Sequence, residues 1–481
     1  MRICFVFIPE RYNDASSDIP AIGNQGGKFP PMHFAYLASV LENKGHAVKI
    51  IDANALNLSV NNVTSEIKEF RPHLLGFSTG VVMFRETISW IRKIRSNINV
   101  PVVVGGDITT HYPNELFAHK EVDYGVIGYN EDILLNLTSS LQNKDNLGEI
   151  SGLIYREKNK VIINYPKENR IKDLTRLPMP ARHLLPNDKY YEFYTREPFT
   201  IVMASSGCAC NCTFCFDKTD NLIERPIQDV IEEIKDCYYT HGIKEIDFRD
   251  RTFTANRDRV LQICSELKRN NLDIRWSCMT RIDLVDKEML AAMKEAGCMH
   301  IKYGLESGAE NILKDYNKHI SLEKIKKNIS LTKEAGIETY GFFMLGNKSE
   351  TKETIKDTIK LAKELDLDYA HFQRYTIWPN RGDYNELKSA LGYDLWREYI
   401  TNNSFTIQKR NLCGQLSERE LNIALKRCYL QFYFRPSYIL KRLKNTYSLK
   451  VTLRSLSAAL DIITNGHFIK GIELLRKRMT I

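Results

Sequence analysis

Short apolar runs alternate with longer amphipathic segments along the first 140 residues. The runs RICFVFIP, AVKIIDA, LLGFST, VPVVVGGD and DYGVIG are almost continuously apolar, which is typical of parallel strands buried on both faces. Between them lie segments such as HFAYLASVLENKG and FRETISWIRKIRSN, whose apolar residues recur with the helical period. This alternation predicts that residues 1–140 form an α/β domain with a doubly wound, Rossmann-like sheet.

The same alternation returns between residues 198 and 385. The apolar runs there are FTIVMASS, EIDFRD, DIRWSCM, HIKYGLES, TYGFFMLG and YAHFQRYTI, separated by helical segments. About six βα units predict a partial or full α/β (TIM-like) barrel, whose functional face is the carboxyl end of its strands. Residues 141–197 are predicted to be a connector in which GLIYREKNKVIINYP forms a small hairpin, and residues 386–481 a helical, basic C-terminal domain.

Three loops of the first domain carry glycine directly after a predicted strand. Ligands bind beyond the carboxyl ends of such strands, and glycine permits close approach of a backbone to a ligand. Glycine after a strand is also ordinary turn chemistry, and the glycines alone favour that interpretation. The loops are Ser78-Thr79-Gly80, Gly105-Gly106-Asp107 and Gly128-Tyr129-Asn130-Glu131.

Length and composition indicate a globular protein with several domains. The chain has 481 residues, of which 43% are hydrophobic, and this is too long for a single core. MRICFVFIPE lacks the features of a signal peptide, and we find no uninterrupted apolar run of about 20 residues. A cytoplasmic location is therefore expected, where clustered cysteines bind metal or do redox work.

Basic charge is concentrated at the C-terminal end. Residues 426–481 carry a net charge of +10, and the preceding 425 residues together carry −1. Leu449, Leu453, Leu456 and Leu460 form one stripe at helical spacing, with Lys450 and Arg454 beside it. Two interpretations stay open: a helical lid on the barrel, or attachment to anionic lipid at the inner membrane face or to an acidic substrate. No RNA-binding motif is present, so nucleic acid is not an expected partner.

Four cysteines occur within the segment SSGCACNCTFCFDK. Three of them, Cys208, Cys212 and Cys215, have the spacing C-x3-C-x2-C directly after a predicted strand. Three thiolates on one loop can bind three irons of a 4Fe–4S cluster and leave the fourth iron open. A structural zinc needs four ligands, and Cys210, the nearby fourth thiol, is too cramped for an easy tetrahedral site. The spacing favours the cluster, with zinc as the alternative.

These cysteines belong to a longer resemblance, which runs in order along most of residues 1–385. CACNCTFC, DFRDRTFT, RIDLVDKEMLAAMKEAGCMHIKYGLESG and GIETYGFFMLG resemble segments of the radical S-adenosylmethionine (SAM) enzymes. PPMHFAYLASVLENKGHAVKIIDA and VVVGGDITTHYP are similar to the first domain of the cobalamin-binding subgroup. That subgroup includes the class B methyltransferases and the anaerobic magnesium-protoporphyrin monomethyl ester cyclase.

The resemblance implies a cofactor set and a role for individual residues. A 4Fe–4S cluster on Cys208, Cys212 and Cys215 would bind SAM and cleave it to a 5′-deoxyadenosyl radical, with an electron from a donor such as flavodoxin or ferredoxin. The implied SAM contacts are Phe214, Phe216, Asp250, Arg281, Glu306 and Ser307. The implied cobalamin contacts are Ser78, Thr79, Gly105, Gly106, Gly128 and Glu131.

Cobalamin binding has an alternative, because the chain contains no Asp-x-His-x-x-Gly motif that would supply a histidine ligand to cobalt. His111 is the nearest candidate, but an ordinary loop histidine is the favoured interpretation. The alternative for the first domain is a retained sheet used for docking or substrate recognition.

The implied activity is modification of an unactivated carbon of a small-molecule or lipid-like substrate, chiefly C-methylation. One SAM would supply the methyl group to cobalamin, and a second would generate the radical. Radical oxidation, cyclisation or rearrangement without methyl transfer is the enzymatic alternative. A non-catalytic metal-binding regulator is the alternative from a different class.

Overall fold

The computed structural model describes residues 1–9, 27–128, 131–158, 160–166, 173–175, 177–215, 222–379, 381–405 and 415–444. Among these residues two compact units are distinguished. The first is drawn from Met1–Tyr12, Lys28–Tyr190 and Leu391–Thr406, and the second from Asn13–Gly27, Tyr191–Ala390 and Ile407–Ile481. The four predicted domain boundaries stay predictions.

The first unit is built on a seven-stranded sheet in the order β3-β1-β4-β5-β6-β7-β8. From β3 through β6 in this order, every neighbouring pair is parallel, whereas β7 and β8 form the predicted hairpin, antiparallel at the edge. Since β1 lies between β3 and β4, the strand order reverses there, as in doubly wound folds. The strands are β1 (Arg2–Phe7), β2 (Gly27–Lys28, outside this sheet), β3 (Ala47–Asp52), β4 (Leu74–Ser78), β5 (Val102–Gly105), β6 (Tyr124–Val126), β7 (Leu153–Glu157) and β8 (Lys160–Ile163).

The helices of this unit bury one apolar face each. In α3, Phe84, Ile88 and Ile91 are buried at helical spacing, while the basic residues of the last turn lie at the negative end of the helix dipole. The helices are α1 (Met32–Glu42), α2 (Val60–Phe70), α3 (Phe84–Arg95), α4 (Asp107–His111), α5 (Pro113–Phe117) and α6 (Glu131–Asn143), followed by 3-10 turns at Leu147–Glu149, Arg182–Leu184 and Asn187–Lys189.

The second unit contains six parallel strands in chain order, β10-β13-β14-β15-β16-β17. Consecutive parallel strands with a helix after nearly every one are the arrangement of a partial α/β barrel. The strands are β9 (Tyr191–Glu192), β10 (Phe199–Val202), β11 (Ser205–Ser206), β12 (Ile223–Glu224), β13 (Glu245–Phe248), β14 (Arg275–Arg281), β15 (Cys298–Glu306), β16 (Glu338–Leu345) and β17 (Tyr369–Arg374).

The barrel helices are followed by the helices of the C-terminal region. They are α7 (Ile227–Tyr239), α8 (Arg257–Arg269), α9 (Lys287–Glu295), α10 (Glu310–Asp315), α11 (Leu322–Glu334), α12 (Lys352–Glu364), α13 (Gly382–Leu391), α14 (Leu395–Thr401), α15 (Glu418–Tyr433) and α16 (Pro436–Lys444), with 3-10 turns at Phe253–Ala255 and Ile282–Leu284. The predicted helical C-terminal region is confirmed, and its leucine stripe, Leu449 to Leu460, lies outside the described residues. None of the described helices combines the length and apolar character needed to span a bilayer.

Alternate residues of the barrel strands face two different environments. Phe248, Ile301 and Phe343 join the apolar core that the helices cover. Asp247 and Lys302 are the sequence neighbours of Phe248 and Ile301 in these strands, and both are buried and charged. Lys302 Nζ lies 3.1 Å from Asp247 Oδ2 and 2.9 Å from a carboxylate oxygen of Glu192. Because each buried charge has an opposite partner, the polar cluster is electrostatically compensated.

Candidate functional site

The three cluster cysteines lie on the loop after β10, at the carboxyl end of the barrel sheet. Cys208 Sγ lies 3.3 Å from Thr252 Oγ1 and accepts a hydrogen bond of 3.4 Å from the backbone N–H of Cys210. Arg281, the last residue of β14, places Nη1 3.6 Å from Cys212 Sγ. The ends of three strands therefore supply polar groups around the thiols.

The pKa values of Cys208 and Cys210 shift in opposite directions because their thiols are hydrogen-bonded to each other. The hydrogen bond from Cys210, with others from Thr252 and the backbone, lowers the pKa of Cys208. The same bond, together with burial, raises the pKa of Cys210. Hydrogen-bond donors to Cys208 therefore favour its thiolate, the form of cysteine that binds metal.

The donor set fits an iron–sulfur cluster. Within the described part of the chain, no three His, Cys, Asp or Glu side chains are grouped so as to hold one metal ion. In a 4Fe–4S cluster, however, each thiolate binds a different iron, so the three thiols need not converge on a single point. Three cysteines on one loop, with the pKa of Cys208 lowered, are the soft ligands that the cluster requires.

The loop is held by residues far away in sequence. Thr213 donates from its backbone N–H to the carbonyl of Tyr316 (3.1 Å), and Asn317 Nδ2 donates to the carbonyl of Asn211 (2.8 Å). Arg381 Nη1 donates to the carbonyl of Phe214 (2.6 Å) and is itself paired with Asp383. Sequence reasoning missed these anchors, because nothing in the local pattern of residues 315–317 or 381 distinguishes them from ordinary loop residues.

Four of the predicted SAM-binding and cluster residues converge on Lys318, which sequence reasoning also missed. Lys318 Nζ forms a 2.6 Å ion pair with Glu306 Oε1 and lies 5.7 Å from the centroid of the Phe214 ring. Its carbonyl accepts a hydrogen bond from Arg281 Nη2 (2.9 Å). Burial raises the pKa of Cys212. Charge interactions with Lys318 and Arg281 lower it by less, so the net shift is upward.

Glu306 adopts an unusual backbone conformation at this point. Its φ is +65°, in the left-handed region that non-glycine residues rarely adopt, next to an irregularity in the pairing of β15 with β16. Such strained positions cluster at functional sites, where the surrounding structure holds them. The ion pair with Lys318 is the contact that fixes the Glu306 side chain.

Two other predicted SAM residues use their side chains within the protein. Asp250 is buried and accepts hydrogen bonds from the backbone N–H of Ala204 (3.1 Å) and from the Ser205 hydroxyl. Burial raises the pKa of Asp250 to about 6. Ser307 is fully buried, with Oγ 3.2 Å from the Thr358 hydroxyl on α12. Phe216 lies outside the described residues.

The predicted cobalamin loops lie at the carboxyl edge of the first sheet, and two of them meet directly. Ser78 and Gly105 are paired across β4 and β5, and Thr79 donates from its N–H to the carbonyl of Gly105 (3.0 Å). Gly106 has a φ of +109°, and a Cβ there would lie 2.3 Å from the Thr79 carbonyl oxygen. A Cβ on Gly105 would meet no atom within 4 Å, so open space adjoins the strand end.

The third loop follows β6, the next strand of the sheet. Gly128 has a φ of +86°, and Glu131 is the first residue of α6, where burial raises its pKa. Asp107, beside Gly106, is half-buried, and burial raises its pKa to about 6. Of the glycines along this edge, called the glycine-lined edge below, Gly105 adjoins open space, so a ligand can approach the backbone there.

Family models match both parts of the chain. The Radical SAM superfamily model matches residues 202–362, and the B12 binding domain model matches residues 20–138. The chain is 34% identical over 420 residues to the uncharacterized methyltransferase PH0819 of Pyrococcus horikoshii, and the match covers 86% of this chain and 89% of that protein. The chain belongs to the B12-binding radical SAM enzymes. Its cofactors are therefore a 4Fe–4S cluster, SAM and cobalamin, and the class of enzyme is a cobalamin-dependent radical SAM methyltransferase.

Two further relatives place this radical SAM enzyme within its family. The anaerobic magnesium-protoporphyrin IX monomethyl ester cyclase of Rubrivivax gelatinosus is 28% identical over 399 residues, covering 80% of this chain and 70% of that protein. The structure of the radical SAM methyltransferase TsrM from Kitasatospora setae, with cobalamin and a [4Fe-4S] cluster bound, matches with a TM-score of 0.70 at 16% identity and covers 98% of this chain and 99% of that chain. The predicted family, fold class and cofactor set are confirmed.

Proposed function

We propose that the enzyme methylates an unactivated carbon of a small-molecule substrate. The observation that carries the proposal is that one chain combines a C-x3-C-x2-C cysteine loop, in which the pKa of Cys208 is lowered, and a glycine-lined sheet edge, in a family whose well-covered relative is a methyltransferase. When bound, the cluster supplies the electron for cleavage of SAM and cobalamin carries the methyl group. The chain's own residues bind these groups and keep water away from them.

The barrel residues divide into ligands and positioning residues. Cys208, Cys212 and Cys215 bind the cluster. Arg281 is held by Asp283 through hydrogen bonds of 3.0 and 2.8 Å and lies beside Cys212, which supports a role for its guanidinium in binding the SAM carboxylate. Phe214 packs near the adenosyl group, a place also proposed for Phe216.

Glu306, Asp250 and Ser307 hold neighbouring parts of the site in position. Glu306 keeps Lys318 in place beside the Phe214 ring. Asp250 orients the start of the cysteine loop through Ala204 and Ser205, and Ser307 fixes the end of β15 against α12.

At the sheet edge of the first unit, Ser78, Thr79, Gly105, Gly106, Gly128 and Glu131 bind cobalamin. The glycines admit the cofactor to the backbone, and the Ser78 hydroxyl is a hydrogen-bonding group for its polar side chains. The Thr79 hydroxyl is buried and accepts a hydrogen bond from the Thr87 hydroxyl (2.9 Å), so Thr79 contributes through its backbone.

Products of SAM turnover test the proposal without knowledge of the substrate. Anaerobically reconstituted enzyme with cobalamin and a low-potential reductant should form both S-adenosylhomocysteine, the product of methyl donation, and 5′-deoxyadenosine. Formation of 5′-deoxyadenosine without S-adenosylhomocysteine would instead support radical chemistry without methyl transfer. If neither product forms, the protein is not an enzyme of this kind.

Two cysteine variants form a matched pair for this assay. Cys212→Ala should abolish 5′-deoxyadenosine, because the cluster loses a ligand. Cys210→Ala should retain it, because Cys210 lies outside the C-x3-C-x2-C triplet. Loss of the product in both variants would make Cys210 part of the cluster site.

We further propose that the substrate is lipid-like and that an electron donor such as flavodoxin or ferredoxin reduces the enzyme. We also propose that the enzyme is cytoplasmic and contacts the inner membrane face. The last two described helices support the membrane contact, since Phe434, Ile439 and Leu440 are 41%, 42% and 59% exposed in a basic part of the chain. Sedimentation with anionic vesicles tests the contact. The full chain should pellet, and the Lys450→Glu/Arg454→Glu variant should pellet less. Equal pelleting would end the lipid proposal.

A further inference from the structure

A short segment that follows the barrel in sequence belongs to the cobalamin-binding unit in space. Residues 391–405, called the strap below, contain α14 and group with the first unit. Leu395, Trp396 and Ile400 of α14 are 5%, 1% and 3% exposed, so the helix is packed into that unit.

The strap contacts the loop that follows β4. Tyr399 Oη donates a hydrogen bond to the carbonyl of Val82 (3.0 Å), within the loop that begins at Thr79. The Arg85 guanidinium lies 4.2 Å from the centroid of the Tyr399 ring and donates to the carbonyl of Asn402. One tyrosine thus joins the strap both to this loop and to the first turn of α3.

The strap also contacts the connection that follows β5. Tyr112, which separates α4 from α5 and is 3% exposed, donates from Oη to Asp394 Oδ1 (3.0 Å). The same Asp394 oxygen caps α14 by accepting from the N–H of Arg397 (2.9 Å). Arg397 Nε in turn pairs with Glu115 on α5 (2.6 Å).

We propose that Tyr399 and Asp394 are positioning residues that hold the β4 and β5 loops in the conformation that binds cobalamin. The two loops carry Thr79 and Gly106, whose backbones lie close together. The strap holds the first loop at Val82 and the second connection at Tyr112. A loop fixed before binding loses less conformational entropy when the ligand arrives, so the strap tightens binding without touching the cofactor. The inference rests on the proposed cobalamin-binding loops.

Aquacobalamin titration of the full-length protein, followed by absorbance, tests the inference. Tyr399→Phe and Tyr112→Phe each remove one hydrogen bond between the strap and a loop, and each should raise the Kd for aquacobalamin by about twofold to tenfold. Iron content after cluster reconstitution should not change, because the strap groups with the first unit and the cluster cysteines with the second. The thermal midpoint of each variant shows whether it is folded.

Tyr433→Phe is the matched control, because Tyr433 also donates its hydroxyl to a backbone carbonyl, that of Ala370 (2.8 Å), but in the second unit. It should leave the Kd for aquacobalamin unchanged. Unchanged Kd values in both Tyr399→Phe and Tyr112→Phe, or an equal rise in Tyr433→Phe, would overturn the inference while the proposed function stands. Failure of the wild-type protein to bind aquacobalamin would instead overturn the cobalamin site itself, and the inference with it.

Discussion

Two cysteines separated by one residue have oppositely shifted pKa values in the cysteine loop. Hydrogen bonds from Cys210 and Thr252 lower the pKa of Cys208, whereas the hydrogen bond to Cys208 raises the pKa of Cys210. The same dependence on immediate surroundings applies to carboxyl groups. Asp107 is half-buried and Asp250 is buried, and burial raises the pKa of each to about 6 even though backbone N–H groups donate to them. At the scale of single residues, the chemistry follows the neighbours more than the residue type.

The raised pKa of Asp107 predicts a pH dependence of stability. Its pKa is 3.8 in an ordinary setting and about 6 in the folded protein, so folding favours the protonated form. The stability that this preference contributes is complete below the lower value and is lost as pH rises through about 6. Asp107→Asn removes this pH-dependent contribution. The free energy of unfolding of the variant, relative to that of wild type, should therefore increase by about 1 kcal/mol between pH 5 and pH 7.5. Thermal midpoints at the two pH values measure this difference.

The control for that measurement is Glu149→Gln, which changes an exposed carboxylate of the same unit. Its difference from wild type should be the same at both pH values. A stability of Asp107→Asn relative to wild type that stays constant, or that falls with rising pH, would contradict the raised pKa of Asp107.

At the scale of elements, the cysteine loop has little regular structure of its own and depends on the ends of other elements. Arg281 ends β14, Glu306 ends β15, and Arg381 follows β17 just before α13. Arg381 is 5% exposed and its guanidinium joins Asp383, the Tyr375 hydroxyl and the carbonyl of Phe214. A forked guanidinium can bind all three groups at once, whereas a lysine ammonium on a flexible stem cannot reproduce that geometry.

Arg381→Lys should therefore loosen the cluster loop although it keeps the charge. Loss of a charge-assisted hydrogen bond to Phe214 corresponds to about a tenfold effect, which we expect in the rate at which a chelator removes iron from reconstituted protein. Arg269→Lys is the matched control, since Arg269 forms an exposed i,i+3 pair with Glu266 on α8. Equal rates of iron loss in the two variants would show that Arg381 does not position the loop.

At the scale of the whole molecule, the residues proposed for the two cofactor sites belong to different units. The cluster residues belong to the second unit and the glycine-lined edge to the first. The units are not simple consecutive halves of the chain, because residues 391–405 return to the first unit after the barrel is complete. Cofactor loading of one site should nevertheless be separable from that of the other.

A pair of substitutions tests this separation through metal content. Cys212→Ala should lose iron and retain cobalt after reconstitution, because it alters the cluster loop alone. Gly106→Ala should do the reverse, because a Cβ there would lie 2.3 Å from the Thr79 carbonyl oxygen at a φ of +109°. Elemental analysis of both proteins gives the result, and joint loss of iron and cobalt in either variant would contradict independent sites.

Local sequence patterns were enough to predict the alternation of strands and helices, the cysteine triplet and the three glycine loops. Strand and helix periods are recognised within about 18 residues, and the ligand spacing within eight positions. The predicted placement of Ser78 and Gly105 at one edge also follows, because parallel strands put their carboxyl ends on the same side. The role of the glycine loops in binding cobalamin stays a prediction.

Only the tertiary structure decided which distant residues complete the sites. Lys302 occurs in a run that reads as a buried strand, and its charge is tolerated because Asp247, 55 residues away, neutralises it. Lys318, Arg381 and Tyr399 have no local signature either, since their roles arise from hydrogen bonds and ion pairs to partners 12 to 317 residues away. A short-range pattern specifies which element forms, but long-range charge and hydrogen-bond compensation exists only after the elements have packed.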